Sequence, residues 1–222
     1  MLYDCMFMVS PMSFSRKKSS CHVLHTPDIL LTRYKLLTTH MDHNKWKFLE
    51  SRVAYENPFF WVREDDVINP LGKESKYYVV VKPWAVGIVP MTQENEIVLI
   101  GQYRYTTQRF SWEVPAGSAD EENEDRVTSA RRELWEETGL EAVEWQQLGL
   151  IQSFNGNSSE MGQSYLAWDL YDTGEDETEA EGITRIKAFS WDEIKEMIRN
   201  GKITDSFSLS VLWHSAVYLQ WV

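Results

Sequence analysis

Arg132-Glu133-Leu134-Trp135-Glu136-Glu137-Thr138-Gly139-Leu140 is the stretch that decides how this chain folds. From Arg126 to Thr138 strong helix formers dominate, Asp125 stands where an N-cap belongs, and Gly139 is a natural stop. The expected helix spans 126–138. On it Glu133 and Glu136 are i, i+3 and Glu133 and Glu137 are i, i+4, so three carboxylates share one face. Like charges at these spacings destabilise a helix by roughly 0.2–0.5 kcal/mol per pair, and the negative end of the helix dipole adds to the cost. Two readings follow. One is a solvated acidic face, tempered by Arg131 and Arg132. The other is a site for a hard divalent cation, which takes carboxylate oxygens together with substrate phosphates.

Before the helix, mixed alternation with aromatic and β-branched residues predicts strands at Lys47–Tyr55 and Phe59–Val67, a hairpin-like pair around Glu56-Asn57-Pro58. Tyr77–Val81, Ala85–Met91 and Glu96–Tyr103 follow, and a short strand at Trp112–Val114 stops at Pro115-Ala116-Gly117. After the helix, strands are expected at Gln147–Ser153, Gln163–Leu170 and Ile186–Phe189, with the acidic run Asp172–Glu181 as a solvated loop. Two helices close the chain, Trp191–Arg199 and one from Asp205 towards Leu219. His214 on the last helix is expected to be packed rather than catalytic. The class is α+β.

Composition narrows the function. The 222 residues are 43% hydrophobic and 25% charged, as in a globular protein, with a net charge of −12. Such a charge repels phosphate backbones and argues against nucleic acid as a partner. No run approaches 18 uncharged apolar residues, so no membrane-spanning helix is expected. The two cysteines, Cys5 and Cys21, are too few for a disulfide scaffold, which suggests a cytoplasmic setting. Residues 1–40 carry Arg16, Lys17, Lys18, Arg33 and Lys35 against Asp4 and Asp28, opposite in sign to the rest, and show no periodicity. Residues 1–45 are therefore expected to be a disordered extension, of which 1–40 are not needed for folding or activity, with a natural start at Met41 left open. A β-region over 46–82 and a main domain over 83–222 follow.

Glu124 stands eight positions before Arg132. With Arg132–Leu140 it resembles the Nudix box: Gly, five residues, Glu, seven residues, then Arg-Glu-Leu-x-Glu-Glu-x-Gly-Leu. One departure is present: Gly117 precedes Glu124 by seven positions instead of six, as one inserted residue in the loop 118–123 would produce. Gln102-Tyr103-Arg104-Tyr105 and Trp112-Glu113-Val114-Pro115-Ala116-Gly117 are similar to the corresponding runs of ADP-ribose pyrophosphatases. Residues 50–81 resemble that subfamily's N-terminal β-region, which commonly takes part in homodimerisation. Ser153-Phe154-Asn155-Gly156-Asn157-Ser158-Ser159-Glu160 resembles its Gly-and-Ser loop ending in an acidic residue, without the prolines often found around the glycine.

The resemblance implies a Nudix fold, a mixed β-sheet sandwiched between helices, with an N-terminal antiparallel β-region. It implies Glu133, Glu137 and Glu136 as metal ligands, with the Ala116 carbonyl completing the shell around Mg²⁺, or Mn²⁺ in its place. Arg132 would orient a neighbouring carboxylate, with Glu124 as its partner, and Glu160 would be the general base or order the attacking water; a plain surface glutamate is the alternative. Arg104 and Glu113 would contact substrate, or form a strand-end ion pair and a loop lock. Gly117, Glu124 and Gly139 would shape the motif. The implied activity is Mg²⁺-dependent hydrolysis of a nucleoside diphosphate linked to a sugar, ADP-ribose giving AMP and ribose 5-phosphate. A GDP-mannose-type pyrophosphatase and a non-catalytic, nucleotide-sensing domain are the alternatives, and RNA decapping is disfavoured by charge.

Overall fold

Alternation along two strands sets how the layers stack. The computed structural model describes residues 45–119 and 125–222, so the expected N-terminal extension and Glu124 lie outside the described residues. In chain order the elements are β1 (Lys47–Glu56), β2 (Trp61–Ile68), β3 (Glu74–Val81), β4 (Trp84–Pro90), β5 (Ile97–Arg104), β6 (Arg109–Glu113) and β7 (Ala116–Ala119). Then come α1 (Arg126–Thr138), β8 (Leu140–Ile151), β9 (Gly162–Asp172), β10 (Ile183–Phe189), α2 (Trp191–Arg199) and α3 (Ser206–Tyr218).

A four-stranded sheet runs β7-β4-β9-β8, with β4 and β9 parallel and the outer pairs antiparallel. On one of its faces Val86 and Ile88 of β4 and Tyr165 and Ala167 of β9 meet Ala130 and Leu134 of α1. On the other, Val89 and Leu166 join a core completed by Ile194 and Met197 of α2 and Val211 and Leu212 of α3. Successive residues of a strand point to opposite faces, so one continuous apolar run serves two cores. A second, three-stranded sheet, β10-β5-β6, adds Leu99 and Phe189 to the α2–α3 side. The result is the mixed sheet between helices that the resemblance implied.

The helix ends follow local chemistry. Asp125 is in extended conformation, and its carbonyl accepts the Thr128 and Ser129 N–H groups at 2.8 and 3.3 Å, opening α1. Gly139 closes it with φ of 70°, a left-handed cap that glycine adopts without steric cost, its N–H reaching the Trp135 carbonyl at 2.7 Å. In α2 the Ser190 side chain and Glu193 form a reciprocal capping box.

Helix α3 approaches the sheet where side chains are missing. A Cβ on Gly87 would lie 2.7 Å from both Phe207 and Val211, and one on Gly149 would lie 2.4 Å from the His214 ring. His214 is accordingly packed: its Nδ1 is 2.8 Å from the Ser164 hydroxyl, and burial lowers its pKa. Val211 is fully buried and cannot swing away. Gly87→Ala is therefore expected to cost about 1–3 kcal/mol by overpacking, read as a lower midpoint in urea with unchanged slope.

The N-terminal strands form their own antiparallel sheet, β1-β2-β3. Every residue of β1 is exposed, including Phe48, Leu49, Val53 and Tyr55. The free edge of β3 is met by the loop between β8 and β9, with a parallel bridge from Val80 to Ser158.

Candidate active site

Helix α1 lies under the backbone of β7, and the contact is made by carboxylates. Gly117 is where Glu133 presses closest: a Cβ there would fall 2.1 Å from its Oε2, so a larger residue would push the carboxylate out of this position. One turn on, Glu137 Oε2 accepts the Ala116 N–H at 2.8 Å. It is thus the Ala116 amide that this carboxylate engages. Arg132 spreads its guanidinium over three acceptors: Glu133 at 2.8 Å, Glu136 at 2.7 Å and the Ser118 carbonyl at 2.9 Å. Its partners among the described residues are these, whereas the sequence pointed to Glu124.

Glu133 and Glu137 are buried, and Glu136 is the more open of the three. Burial pushes the Glu133 carboxyl up to about 7, although Arg132 pulls it down, and Glu136 adds to the rise. Burial pushes Glu137 up to about 8; the Ala116 N–H opposes this and the Glu133 charge reinforces it. These carboxylates are short of positive charge. Among the described residues no three acidic, imidazole or thiol groups converge as a ready-made cation cage. Arg132 draws Glu133 and Glu136 to itself, and the Ala116 amide holds Glu137. Even so, oxygen-only donors, buried, under-compensated and pressed against a bare glycine, fit a hard divalent cation.

The sign of a pH effect follows. A carboxyl whose pKa is higher folded than unfolded contributes stability that is complete below its unfolded value of 4.5 and lost as pH rises through 7 and then 8. Chelator-treated protein is expected to melt at progressively lower temperature between about pH 5 and about pH 9, and excess divalent cation should flatten that slope. Melts that leave the slope unchanged with and without cation would contradict the assignment.

Ala116 and Gly117, which these carboxylates contact, line with Ser118 a cavity of about 900 Å³ that Arg104, Glu113, Lys82 and Glu160 also bound. Arg104 and Glu113 meet as a forked ion pair, two contacts at 3.1 Å and one at 2.5 Å, with Glu113 buried and the arginine half-exposed. Of the two roles open for Arg104, the ion pair is formed here, through Nε and Nη2. Glu160 lies at the end of the β8–β9 loop and is ion-paired with Lys82. Sequence reasoning missed Lys82; the two are 78 positions apart, and only the fold brings them together.

Residues 81–207 match the NUDIX domain family, and residues 46–80 match the nucleoside diphosphate sugar hydrolase N-terminal domain. The chain is 33% identical over 173 residues to an ADP-ribose pyrophosphatase of Mycobacterium tuberculosis, covering 77% of this chain and 83% of the relative. It is 35% identical over 164 residues to a methanol dehydrogenase activator of Bacillus methanolicus, covering 72% and 86%. A solved structure described as an ADP compounds hydrolase superposes with a TM-score of 0.71 at 22% identity, over 80% of this chain and 95% of that one, which is a likeness of fold. With the helix-borne carboxylates seated under Gly117 and a family match over more than half of its length, the chain belongs to the Nudix family and is a Nudix hydrolase.

Proposed function

We propose that the enzyme hydrolyses the pyrophosphate bond of a nucleoside diphosphate linked to a sugar, and that ADP-ribose is its substrate, yielding AMP and ribose 5-phosphate. The observation that carries this is the pair of buried carboxylates, Glu133 and Glu137, held directly against Ala116 and Gly117, two residues that line a cavity also presenting Arg104. Such a site is short of positive charge at its carboxylates and offers a guanidinium at the cavity wall, which suits a ligand that brings phosphates and divalent cations together. The name of the mycobacterial relative supports ADP-ribose among nucleoside diphosphate sugars.

Glu133 and Glu137, with Glu136 and the Ala116 carbonyl, would hold Mg²⁺, with Mn²⁺ as a substitute. The ion supplies polarisation of the phosphoryl oxygens and a more acidic water. Arg132 keeps Glu133 and Glu136 oriented. Arg104, fixed by Glu113, offers its remaining guanidinium edge to a phosphate or the ribose. Glu160 takes the proton from the attacking water as an O–P bond forms and the bridging P–O bond breaks. Incubation with ADP-ribose, GDP-mannose, NADH and diadenosine polyphosphates in Mg²⁺, followed by chromatography of the products, tests the proposal. ADP-ribose should be cleaved fastest, and a faster GDP-mannose reaction would move the preference to that sugar nucleotide. The activator name of the Bacillus methanolicus relative favours a second, partner-binding reading. Against a silent domain stand the retained carboxylates, whose crowding a mere binding module has no need to keep.

The same proposal includes a homodimer formed through the N-terminal sheet. Strand β1 exposes all ten residues, and Phe48, Leu49, Val53 and Tyr55 make it an apolar edge of the kind that seeks a partner. Light scattering is expected to give twice the chain mass, and Val53→Glu should shift it to the monomer; a wild-type monomer at micromolar concentration would refute the dimer. The two cysteines suit a reducing, cytoplasmic setting.

A further inference from the structure

The loop between β8 and β9 is built from Asn155-Gly156-Asn157-Ser158-Ser159, a run with no apolar side chain to anchor it. It is held instead by the free edge of β3. The Val80 N–H donates to the Asn157 carbonyl at 2.8 Å, and the Val80 carbonyl accepts from the Ser159 N–H at 3.0 Å and the Ser158 hydroxyl at 3.1 Å. Tyr77 donates its hydroxyl proton to the Gly156 carbonyl at 2.5 Å. Beyond Glu160 the chain is taken up by β4, where the Ala85 N–H reaches the Met161 carbonyl at 2.8 Å. The backbone on both sides of Glu160 is thus tied to the β3–β4 segment, and Lys82, in that segment, ion-pairs with the carboxylate itself. The pair is unlike an ordinary surface bridge: the Glu160 side chain is 15% exposed against 42% for Lys82, and both line the candidate active-site cavity.

We propose that Lys82 is a positioning residue for Glu160, and that β3 extends the role of the N-terminal sheet from assembly to ordering the loop that carries the proton acceptor. The inference rests on the proposed pyrophosphate-cleaving reaction. A glutamate on a loop has three free rotors. Backbone rungs to Val80 and the Lys82–Glu160 ion pair together hold the loop against β3, and the ammonium also fixes where the carboxylate points. Removing the ammonium leaves the carboxylate in the cavity but no longer aimed, and misplacement of a reacting group by about 1 Å costs on the order of 10²-fold in rate. Contact between Lys82 and a substrate phosphate is the competing role, and it would act on binding without needing Glu160.

The test uses the full chain with ADP-ribose and saturating Mg²⁺, comparing wild type, Lys82→Met, Lys82→Arg, Glu160→Gln and the Lys82→Met/Glu160→Gln double variant. Lys82→Met is expected to lower kcat by roughly 10–100-fold with KM nearly unchanged. Lys82→Arg should recover most of the loss, because it keeps the charge. In the Glu160→Gln background the same Lys82→Met change should cost almost nothing, since the group it positions is already disabled. An equal loss in both backgrounds, or a rise in KM with kcat intact, would overturn the proposal. Hydrogen exchange of the full chain reads the ordering without any turnover: the Val80 and Ser159 amides should exchange several-fold faster in Lys82→Met, with α1 unaffected. Should wild type cleave none of the substrates, the proposed reaction fails while the exchange result still decides whether Lys82 orders the loop. Unchanged exchange at both amides would also overturn it.

Discussion

Glu133→Gln and Glu137→Gln are each expected to lower turnover by about two to four orders of magnitude, while the metal-free fold of either variant is no less stable than wild type. The kinetic half follows from charge: a lost metal contact removes several kcal/mol of transition-state stabilisation, and each 1.36 kcal/mol is about tenfold in rate. The stability half follows from burial. Both carboxyls are held well above their ordinary range by desolvation, so a neutral amide of the same size suits each position better than a carboxylate does. In Glu137→Gln the side-chain amide keeps an oxygen to accept the Ala116 N–H, and relief of i, i+4 repulsion adds a little. Glu136→Gln should be milder, because that side chain is more open and shares its charge with Arg132. Steady-state kinetics across a Mg²⁺ titration, beside melts in chelator, separate this from a solvated acidic face, which predicts neither a rate loss nor a changed Mg²⁺ dependence.

Glu160→Gln should also cost about two to four orders of magnitude in kcat, the range for a positioned general base, but with Mg²⁺ dependence intact. The difference lies in where the residue sits. Glu133 and Glu137 project from α1 against β7, whereas Glu160 is carried by a separate element, a loop tied to β3 and β4. Its loss therefore leaves the helix face undisturbed. A surface-loop glutamate would give near wild-type kcat, and a metal ligand would give a Mg²⁺ midpoint shifted to higher concentration; either result would remove Glu160 from the role of base.

Helix α1 was legible to the residue, because strong helix formers end at a glycine that can take positive φ. The apolar alternation of β4 and β9 was legible for the same kind of reason, since both faces of these strands are buried. Strand β7 was not: Ala116-Gly117-Ser118-Ala119 has no β-branched or aromatic residue, and its extended form comes from pairing with β4, Trp84 to Ala119 through Gly87 to Ala116. Its smallness is also its use, since α1 brings the Glu133 carboxylate against Gly117, where a side chain would displace it. The early half of β8, Leu140–Gln146, was missed as well; it starts directly after the Gly139 cap and is defined by its long register with β9.

At the site, the carboxylates on one helix face were legible from spacing alone, but their partners were not. That Arg132 is shared between Glu133, Glu136 and the Ser118 carbonyl depends on β7 lying over the helix. The Arg104–Glu113 fork was not legible from strand register either, because the β5–β6 pairing sets Arg104 opposite Arg109 and Glu113 opposite Ile100. Lys82 carried no motif signal at all. Its partner is fixed by a loop crossing to the edge of a separate sheet, a tertiary event that local pattern does not encode.

The most direct test is a single reaction: wild-type enzyme with ADP-ribose in Mg²⁺, its products resolved, repeated with chelator and with Glu137→Gln. AMP and ribose 5-phosphate should form in equal amounts, disappear with chelator, and fall by at least about a hundredfold in the variant. Cleavage that persists in chelator, or near wild-type turnover by Glu137→Gln, would contradict a metal centre built on α1.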